Sequence, residues 1–122
     1  MTDAPDTAPR LRLRIVFGSD AMLGPGKADL LEGIRETGSI AAAGRAMSMS
    51  YKRAWSLVEE MNAAFSEPLV TSTRGGTKGG GASLTETGEQ VVAHYRRLEE
   101  IAGEAGGTEI EALRSLLRDT GN

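Results

Sequence analysis

The sequence contains no cysteine, only 4% aromatic residues and no apolar run near the length of a membrane-spanning helix. The absence of cysteine excludes disulfides, thiolate nucleophiles and zinc-thiolate fingers. A bilayer-spanning helix needs roughly 20 consecutive apolar residues, so no membrane segment is expected. With few aromatics, the core must be built from Leu, Ile, Val, Met and Ala. The length of 122 residues and the 39% hydrophobic content predict one globular domain.

The sequence also lacks the residue sets that are typical of enzymes and cofactor sites. His94 is the only histidine, and one imidazole without further ligands makes no metal site. The acidic pairs 59–60 and 99–100 are sequence neighbours, which point to different sides of a helix and indicate solvated faces. The glycine-rich stretch 75–81 lacks the Gly-Lys-Ser/Thr triplet of a phosphate-binding loop. We therefore expect no enzymatic activity, no cofactor and no metal.

The net charge of −3 hides an uneven distribution of charged residues. Residues 39–83 contain five basic and three acidic side chains, whereas residues 84–122 contain four arginines and eight acids. Phosphate neutralisation supplies most non-specific binding to nucleic acid. A weakly positive stretch in an acidic protein therefore predicts modest, salt-sensitive binding to DNA.

The N-terminal part predicts a leader, a strand and a helix. Residues 1–10 are acidic and contain proline but no hydrophobic signal core, which predicts a disordered leader and a cytoplasmic protein. Leu11–Phe17 alternates apolar and basic residues and predicts a strand with one buried face. A loop is expected over 18–26, followed by a first helix over Lys27–Thr37 that Gly38 ends.

The stretch 37–55, TGSIAAAGRAMSMSYKRAW, predicts two short helices joined by a tight turn. Ser39 is positioned to cap the first of these helices and Ser50 the next, with Ser48 in the turn. Pro68 is expected to end the second of these helices. Apolar residues at spacings of three and four predict its core-facing stripe: Ala54, Leu57, Val58, Met61 and Phe65.

The first residues of this helix occupy the place where a helix-turn-helix meets base edges in the major groove. Arg53 can make a forked contact to guanine, and Lys52 can reach guanine or a phosphate. Tyr51 can touch a phosphate or a thymine methyl group. Two bases on a helix are also found on any solvated face, so the assignment depends on the surrounding pattern. Trp55 flanks the apolar stripe and predicts packing, since duplex bases are not available for stacking.

Two short strands, 69–73 and 82–85, flank the glycine-rich loop and predict a β-hairpin. Arg74 and Lys78 in this loop can lie along phosphates or enter the minor groove, although a plain flexible loop is the alternative. A helix-turn-helix followed by such a hairpin is a winged helix. The sequence thus predicts a mainly α fold with a small antiparallel β-sheet (α+β) that binds double-stranded DNA.

Beyond the hairpin, Thr85 is positioned to cap a fourth helix that runs through Ala102. Its apolar stripe must be covered by its own core, by a second copy of the chain, or by both. Residues 108–111 resemble a capping box that opens a final short helix. We predict a homodimer interface on the fourth helix, formed by Val91, Val92, Tyr95, Leu98 and Ile101.

The segments LLEGIRETGSIAAAGRAMSMSYKRAWSLVEEMN and LVTSTRGGTKGGGASLTETGEQVV resemble the N-terminal DNA-binding domain of ModE-type molybdate-responsive regulators. That domain is itself related to the LysR-type winged helix. The resemblance covers about residues 11–101 and implies a dimer on inverted-repeat operator DNA. It implies that the reading helix and the wing contact the DNA, through Ser50, Tyr51, Lys52, Arg53, Arg74 and Lys78. Ser39 and Arg45 of the helix-turn-helix complete the predicted DNA-binding set.

Two features depart from this family pattern. Ser48 stands where the family often has glycine, and only about twenty residues follow the fourth helix, where such regulators continue into molybdate-binding modules. The expected organisation is a leader (1–10), a winged helix with its dimerisation helix (11–103, the helix over about 85–102) and a short helix or tail (104–122). We expect a stand-alone regulator without a molybdate site. The alternative is an interaction module that heterodimerises with or titrates a longer regulator.

Overall fold

The computed structural model describes residues 9–19, 21–73 and 81–118 of the chain. In that part it contains five helices and four short strands, which form two antiparallel pairs. The predicted mainly helical fold with a small antiparallel hairpin is confirmed. In chain order the elements are β1 (Ile15–Val16), β2 (Met22–Leu23), α1 (Pro25–Thr37), α2 (Ile40–Ala46), α3 (Tyr51–Ala64), β3 (Val70–Thr73), β4 (Gly81–Leu84), α4 (Glu86–Ala105) and α5 (Gly107–Ser115).

Local hydrogen bonds set the boundaries of the helix-turn-helix. Gly38 has a φ of +72°, and its N–H bonds back to the last turn of α1, which ends that helix as predicted. The Ser39 side chain accepts the N–H of Ala42, and the Ser50 side chain accepts the N–H of Arg53, each at 3.0 Å. These bonds satisfy N–H groups that have no partner inside the helix. Ser39 and Ser50 are therefore the N-caps of α2 and α3, as predicted.

Ser48 closes the turn between α2 and α3 in a left-handed conformation, with a φ of +61°. Directly after it, the N–H of Met49 bonds to the carbonyl of Gly44 at 3.0 Å, which ties the turn to α2. A left-handed residue with a Cβ costs roughly 1–2 kcal/mol relative to the usual backbone regions. Serine therefore occupies the turn that the sequence predicted, with a backbone strain that glycine would not have.

Replacing Ser48 with glycine is expected to raise the free energy of unfolding by about 0.5–1 kcal/mol. The relief of left-handed strain outweighs the greater freedom of glycine in the unfolded chain. Urea denaturation of the two proteins measures this difference. The matched control is Ser56→Gly, which lies inside α3 and should lower stability by about 0.5 kcal/mol. Equal effects of the two changes would contradict the strain at Ser48.

The three helices α1, α2 and α3 bury one apolar cluster together with the hairpin and α4. At Gly44 the backbones of α2 and α3 approach so closely that an added Cβ would lie 2.8 Å from the Cβ of Ala54. The predicted stripe of α3 is buried, apart from Phe65, which is half-buried just beyond the end of the helix. One face of α3 is thus fixed in the core. The buried residues of the cluster are Leu30, Leu31, Ile34, Ile40, Ala43, Ala54, Leu57, Val58, Met61, Leu69, Val70, Ala82 and Val92.

The hairpin is hydrogen-bonded to the helix-turn-helix through both of its strands. Asn62 on α3 accepts the N–H groups of Leu69 and Val70 at 2.8 and 3.1 Å, and its amide donates to the Val70 carbonyl at 3.1 Å. On the other strand, the N–H of Ala82 bonds to the carbonyl of Gly38 at 2.9 Å. Strands β3 and β4 form four antiparallel residue pairs. The base of the wing therefore has a fixed position relative to α3.

The N-terminal strand is much shorter than predicted. Only Ile15–Val16 pairs, and its partner Met22–Leu23 lies inside the stretch expected to be a loop. The strand predicted over residues 11–17 is confirmed only at Ile15–Val16, and the longer extent was wrong because alternation indicates a buried face but does not provide a partner strand. The carbonyl of Leu13 instead accepts the hydroxyl of Tyr95 on α4 at 2.6 Å. The segment before β1 is held by α4.

Two helix ends also differ from the prediction. No capping box opens α5, because the helix begins at Gly107 directly after Gly106, and Thr108 already lies inside its first turn. The N–H of Gly106 bonds to the carbonyl of Ala102 at 2.8 Å, so one residue joins α4 to α5. The third helix ends at Ala64, before Pro68 could interrupt it.

Candidate nucleic-acid interface

The first turn of α3 presents three exposed side chains, those of Tyr51, Lys52 and Arg53. The exposed fraction of Tyr51 is 57%, which is unusual for a large aromatic residue. The turn is held by the Ser50 cap at its start and by the buried face of α3 below it. The structure therefore brings the predicted reading residues together on a rigid surface.

The three side chains point in different directions around the axis of α3. Successive residues of an α-helix are rotated by about 100°, so Lys52 lies almost opposite the buried stripe, with Tyr51 and Arg53 on its two flanks. Ser56 lies one turn after Lys52 on the same outward face and is exposed. Ser56 was not among the residues predicted to contact DNA, although its spacing of four from Lys52 was a usable signal. It is a further candidate for a polar contact at this surface.

The basic residues of the helix-turn-helix have no carboxylate partner, a property they share with Arg10, Arg12, Arg14 and Arg118 among the described residues. Within the described residues, Arg45, Lys52 and Arg53 form no ion pair, and all three are exposed. By contrast, several bases outside this surface are bound to carboxylates: Lys27, Arg35, Arg96, Arg97 and Arg114. The uncompensated positive charge of α2 and α3 is available to an anionic partner.

Ser39 and Arg45 lie at opposite ends of α2. Arg45 is exposed in the last turn, next to the connection into α3. Ser39 is half-buried and its side-chain oxygen already accepts a backbone N–H. The two residues are about 9 Å apart along the helix axis. Arg45 therefore lies close to the first turn of α3, whereas the observed role of Ser39 is to cap α2.

The wing residues Arg74 and Lys78 lie outside the described residues, as does the rest of stretch 74–80. The strands that flank this stretch are described, and the pair Thr73 and Gly81 is the last one before it.

Trp55 is half-buried against the main core, which confirms that it packs.

The five interface residues predicted on α4 divide into two groups. Val92 and Tyr95 are only 3% and 1% exposed within one chain, so the prediction is corrected for them: they pack inward and do not offer a surface. Leu98 and Ile101 are 39% and 45% exposed, and Val91 is half-buried. Val92 packs into the main core, and Tyr95 packs with Leu23 of β2 and Ala28 of α1, which sequence spacing alone could not indicate.

A cluster of ion pairs attaches α4 to α1. The guanidinium of Arg96 contacts Asp29 at 2.6 Å, Glu32 at 2.9 Å and Glu99 at 3.0 Å. Its hydrogen bonds hold the pKa of Glu32 below the usual value, and the hydrogen bond to Glu32 is the main cause of the raised pKa of Arg96. Arg35 on α1 bonds to Glu89 on α4 at 2.8 Å in the same way. The exposed end of α4 is thus fixed relative to the helix-turn-helix.

The described part of the chain offers neither a metal site nor a membrane-spanning helix. Its His, Asp and Glu side chains form no group of three that could hold a metal ion. None of its helices is long and apolar enough to cross a bilayer. An apolar cavity of about 230 Å³ lies beside Leu98, with Phe17, Phe65 and His94 among its lining residues. This cavity extends the exposed apolar surface of α4 towards β1.

Comparison with known proteins agrees with this geometry. ModE of Azotobacter vinelandii, described as a molybdenum transport protein, is 36% identical over 124 residues, which cover 91% of this chain and 46% of that protein. ModE of Escherichia coli K12, described as a DNA-binding transcriptional dual regulator, is 37% identical over 81 residues, covering 66% of this chain and 31% of that protein. The chain spans less than half the length of these relatives.

Solved structures show the same architecture. The crystal structure of the CbnR DNA-binding domain in complex with DNA superposes with a TM-score of 0.56 at 22% identity, covering 72% of this chain and 95% of that chain. At this identity the likeness establishes the winged-helix fold. Residues 28–89, from α1 through the hairpin to the start of α4, match the family described as bacterial regulatory helix-turn-helix proteins, lysR family. This match spans the elements that build the exposed basic surface, and the chain therefore belongs to the LysR family of bacterial regulatory helix-turn-helix proteins.

Proposed function

We propose that this chain is a transcriptional regulator that binds double-stranded DNA by placing the first turn of α3 in the major groove. The observation that carries the proposal is the exposed, uncompensated pair Lys52 and Arg53 on a helix whose other face is locked in the core. Helix-turn-helix proteins read base edges with this part of the helix. The similarity to the Escherichia coli relative, a DNA-binding transcriptional dual regulator, supports the same function. Because a bacterial regulator meets its DNA in the cytoplasm, we also propose a cytoplasmic location.

Each residue of the surface has a distinct task in this proposal. Arg53 reads guanine through a forked pair of hydrogen bonds, and Lys52 reaches guanine or a phosphate. Arg45 binds phosphate from the end of α2, while Arg74 and Lys78 bind along the backbone or in the minor groove from the wing. We assign no catalytic residue, no cofactor and no molybdate site to this chain.

We further propose that two copies associate through the exposed end of α4. Leu98, Ile101 and the adjoining apolar cavity support this surface, because an exposed apolar patch of this kind favours association. A two-fold dimer presents the same patch on both subunits. Its reading helices would meet successive major grooves about 34 Å apart and bind an inverted repeat.

Replacing Leu98 with glutamate is expected to weaken the dimer at least about tenfold, because a charge in an apolar interface must be desolvated without a partner. Sedimentation velocity across a concentration series measures the change. Affinity for a two-half-site duplex should fall with it, while the circular dichroism spectrum at the assay temperature should still show a folded protein. Gln90→Glu, an exposed position on the same helix, is the charge-matched control. A Leu98→Glu protein that dimerises like the wild type would exclude this interface.

In vitro selection from a random duplex library tests the proposed function. The purified protein should enrich an inverted repeat at near-physiological salt, and the affinity for it should fall steeply as salt is raised. Enrichment of nothing above background would contradict DNA binding by this chain. In that case the second candidate, an interaction module for another protein, would be favoured. The observation behind that candidate is a set of exposed apolar side chains at the end of α5 and just after it: Leu113, Leu116 and Leu117.

A further inference from the structure

We propose that Trp55 positions Tyr51 as a hydrogen-bond donor to a DNA phosphate, at the wall of the groove that α3 enters. The inference deepens the proposed function and rests on it. It gives Tyr51 a task separate from those of Lys52 and Arg53, and it makes Trp55 a positioning residue that does not touch DNA.

The two aromatic side chains form a fixed pair on one side of α3. Their rings meet edge to face, with centroids 6.3 Å apart and an interplanar angle of 83°. Trp55 is half-buried against the main core, and its indole N–H donates to the hydroxyl oxygen of Tyr51. An exposed tyrosine normally samples several rotamers. Here the ring is tied to a residue that the core already holds.

The direction of this hydrogen bond decides what Tyr51 can offer to a ligand. An indole N–H is a donor only, so the tyrosine oxygen is the acceptor in the pair. The hydroxyl proton of Tyr51 remains available, and within the described residues it has no acceptor. The pair therefore presents a donor to whatever binds α3, and phosphate oxygens are the strongest acceptors on DNA because they are charged.

The position of Tyr51 on the helix favours a phosphate over a base edge. Tyr51 and Trp55, four residues apart, lie about 40° from one another around the helix axis. Both lie beside the buried stripe, whereas Lys52 points away from the core. A helix that directs Lys52 to the floor of the major groove therefore brings the tied Tyr51 ring to one wall, which the phosphates form. Arg53 lies on the opposite flank, but no hydrogen bond or ion pair within the described residues holds its side chain, so it can extend to the floor. This contact contributes affinity that does not depend on sequence.

The substitutions Tyr51→Phe and Trp55→Phe test the pair without removing an aromatic ring. Fluorescence anisotropy at fixed salt compares their affinities for the selected duplex and for a scrambled duplex. Tyr51→Phe should weaken both about tenfold, the expected loss of a hydrogen bond to a charged group, and the selected consensus should stay the same. Trp55→Phe should give a smaller loss. The double variant should bind no more weakly than Tyr51→Phe alone, because both changes act on one contact.

A neutral methylphosphonate at each backbone position in turn identifies the phosphate. One such position per half-site should weaken the wild type and have little effect on Tyr51→Phe. Thermal unfolding should show every variant fully folded at the assay temperature, with Tyr51→Phe close to the wild type and Trp55→Phe somewhat less stable because Trp55 packs against the core. This separates the effect on binding from a loss of structure.

Several results would overturn the inference. A Tyr51→Phe protein with wild-type affinity would show that the hydroxyl makes no contact, and a changed consensus would assign it to a base. A Trp55→Phe protein that binds like the wild type, beside a weakened Tyr51→Phe, would remove the positioning role. In each of these cases the wild type still binds DNA, and the proposed function stands. Only a wild type that enriches no duplex would overturn the function and the inference together.

Discussion

Replacing Gly88 with alanine is expected to lower the free energy of unfolding by about 2–3 kcal/mol, near the upper end of what over-packing usually costs. A Cβ at this position would lie 2.2 Å from the carbonyl oxygen of Leu69. That oxygen belongs to backbone, and it also accepts the N–H of Thr85 at 2.9 Å. Neither the hairpin nor the first turn of α4 can move without breaking this junction. Urea denaturation monitored by circular dichroism measures the loss.

The matched control is Gly103→Ala on the same helix. Nothing lies within 4 Å of a Cβ added there, so alanine should raise stability by about 0.5–1 kcal/mol through its higher helix propensity. If the free energy of unfolding falls for Gly88→Ala and rises for Gly103→Ala, the loss at position 88 is due to the contact with Leu69. A Gly88→Ala protein as stable as the wild type would show that α4 does not pack this closely on the hairpin.

Replacing Arg53 with alanine is expected to weaken binding to the selected duplex by about 1–3 kcal/mol, which is the range for a forked contact to guanine. Base preference should relax at one position of each half-site, because only that contact is removed. Folding should not change, since Arg53 is exposed and contributes its backbone N–H, not its side chain, to the Ser50 cap. Quantitative binding to a set of single-base variants of the selected site measures both effects.

Two other substitutions separate base reading from general charge. Lys78→Ala should weaken all sequences alike, because a phosphate contact carries no base information. Arg114→Ala on α5, an exposed arginine paired only with Glu111 of the same helix, should change neither affinity nor preference. Unchanged affinity in both the Arg53 and the Lys78 variants would show that α3 and the wing do not form the DNA surface.

The parts of the fold that the sequence predicted well are those fixed by local chemistry. The caps at Ser39 and Ser50 and the left-handed stop at Gly38 depend on hydrogen bonds within a few residues. The turn at Ser48 was predicted from its place between two capped helices, whereas its left-handed φ was not. The stripe of α3 was predictable because its period of 3.6 residues is a property of one helix.

The parts of the fold that could not be predicted from the sequence depend on contacts between segments that are distant in the chain. The pairing of β1 with β2 needs a partner strand. The burial of Val92 needs the main core, and that of Tyr95 needs β2, α1 and the segment around Leu13. The absence of a capping box at α5 depends on the one-residue joint after α4. The residues next to each of these features in the sequence do not indicate which contacts it will make.

Part of the candidate site could also be predicted from local features of the sequence. Tyr51, Lys52 and Arg53 stand out because they follow a capped turn, and they are exposed together. That Lys52 and Arg53 are uncompensated could not be predicted, because ion pairs such as Arg96 with Asp29 join residues far apart in the chain. The link from Trp55 to Tyr51 likewise depends on side-chain directions that spacing does not determine.

The most direct test of α3 as the reading helix combines one altered base with one altered side chain. Each guanine of the selected site is replaced in turn by 7-deazaguanine, which lacks the N7 acceptor but still pairs normally. If Arg53 reads a guanine, one replacement per half-site should weaken the wild type about tenfold and leave Arg53→Ala unchanged, so that the two losses do not add. Wild-type binding that tolerates 7-deazaguanine at every position, or losses that add fully, would contradict major-groove reading by this residue.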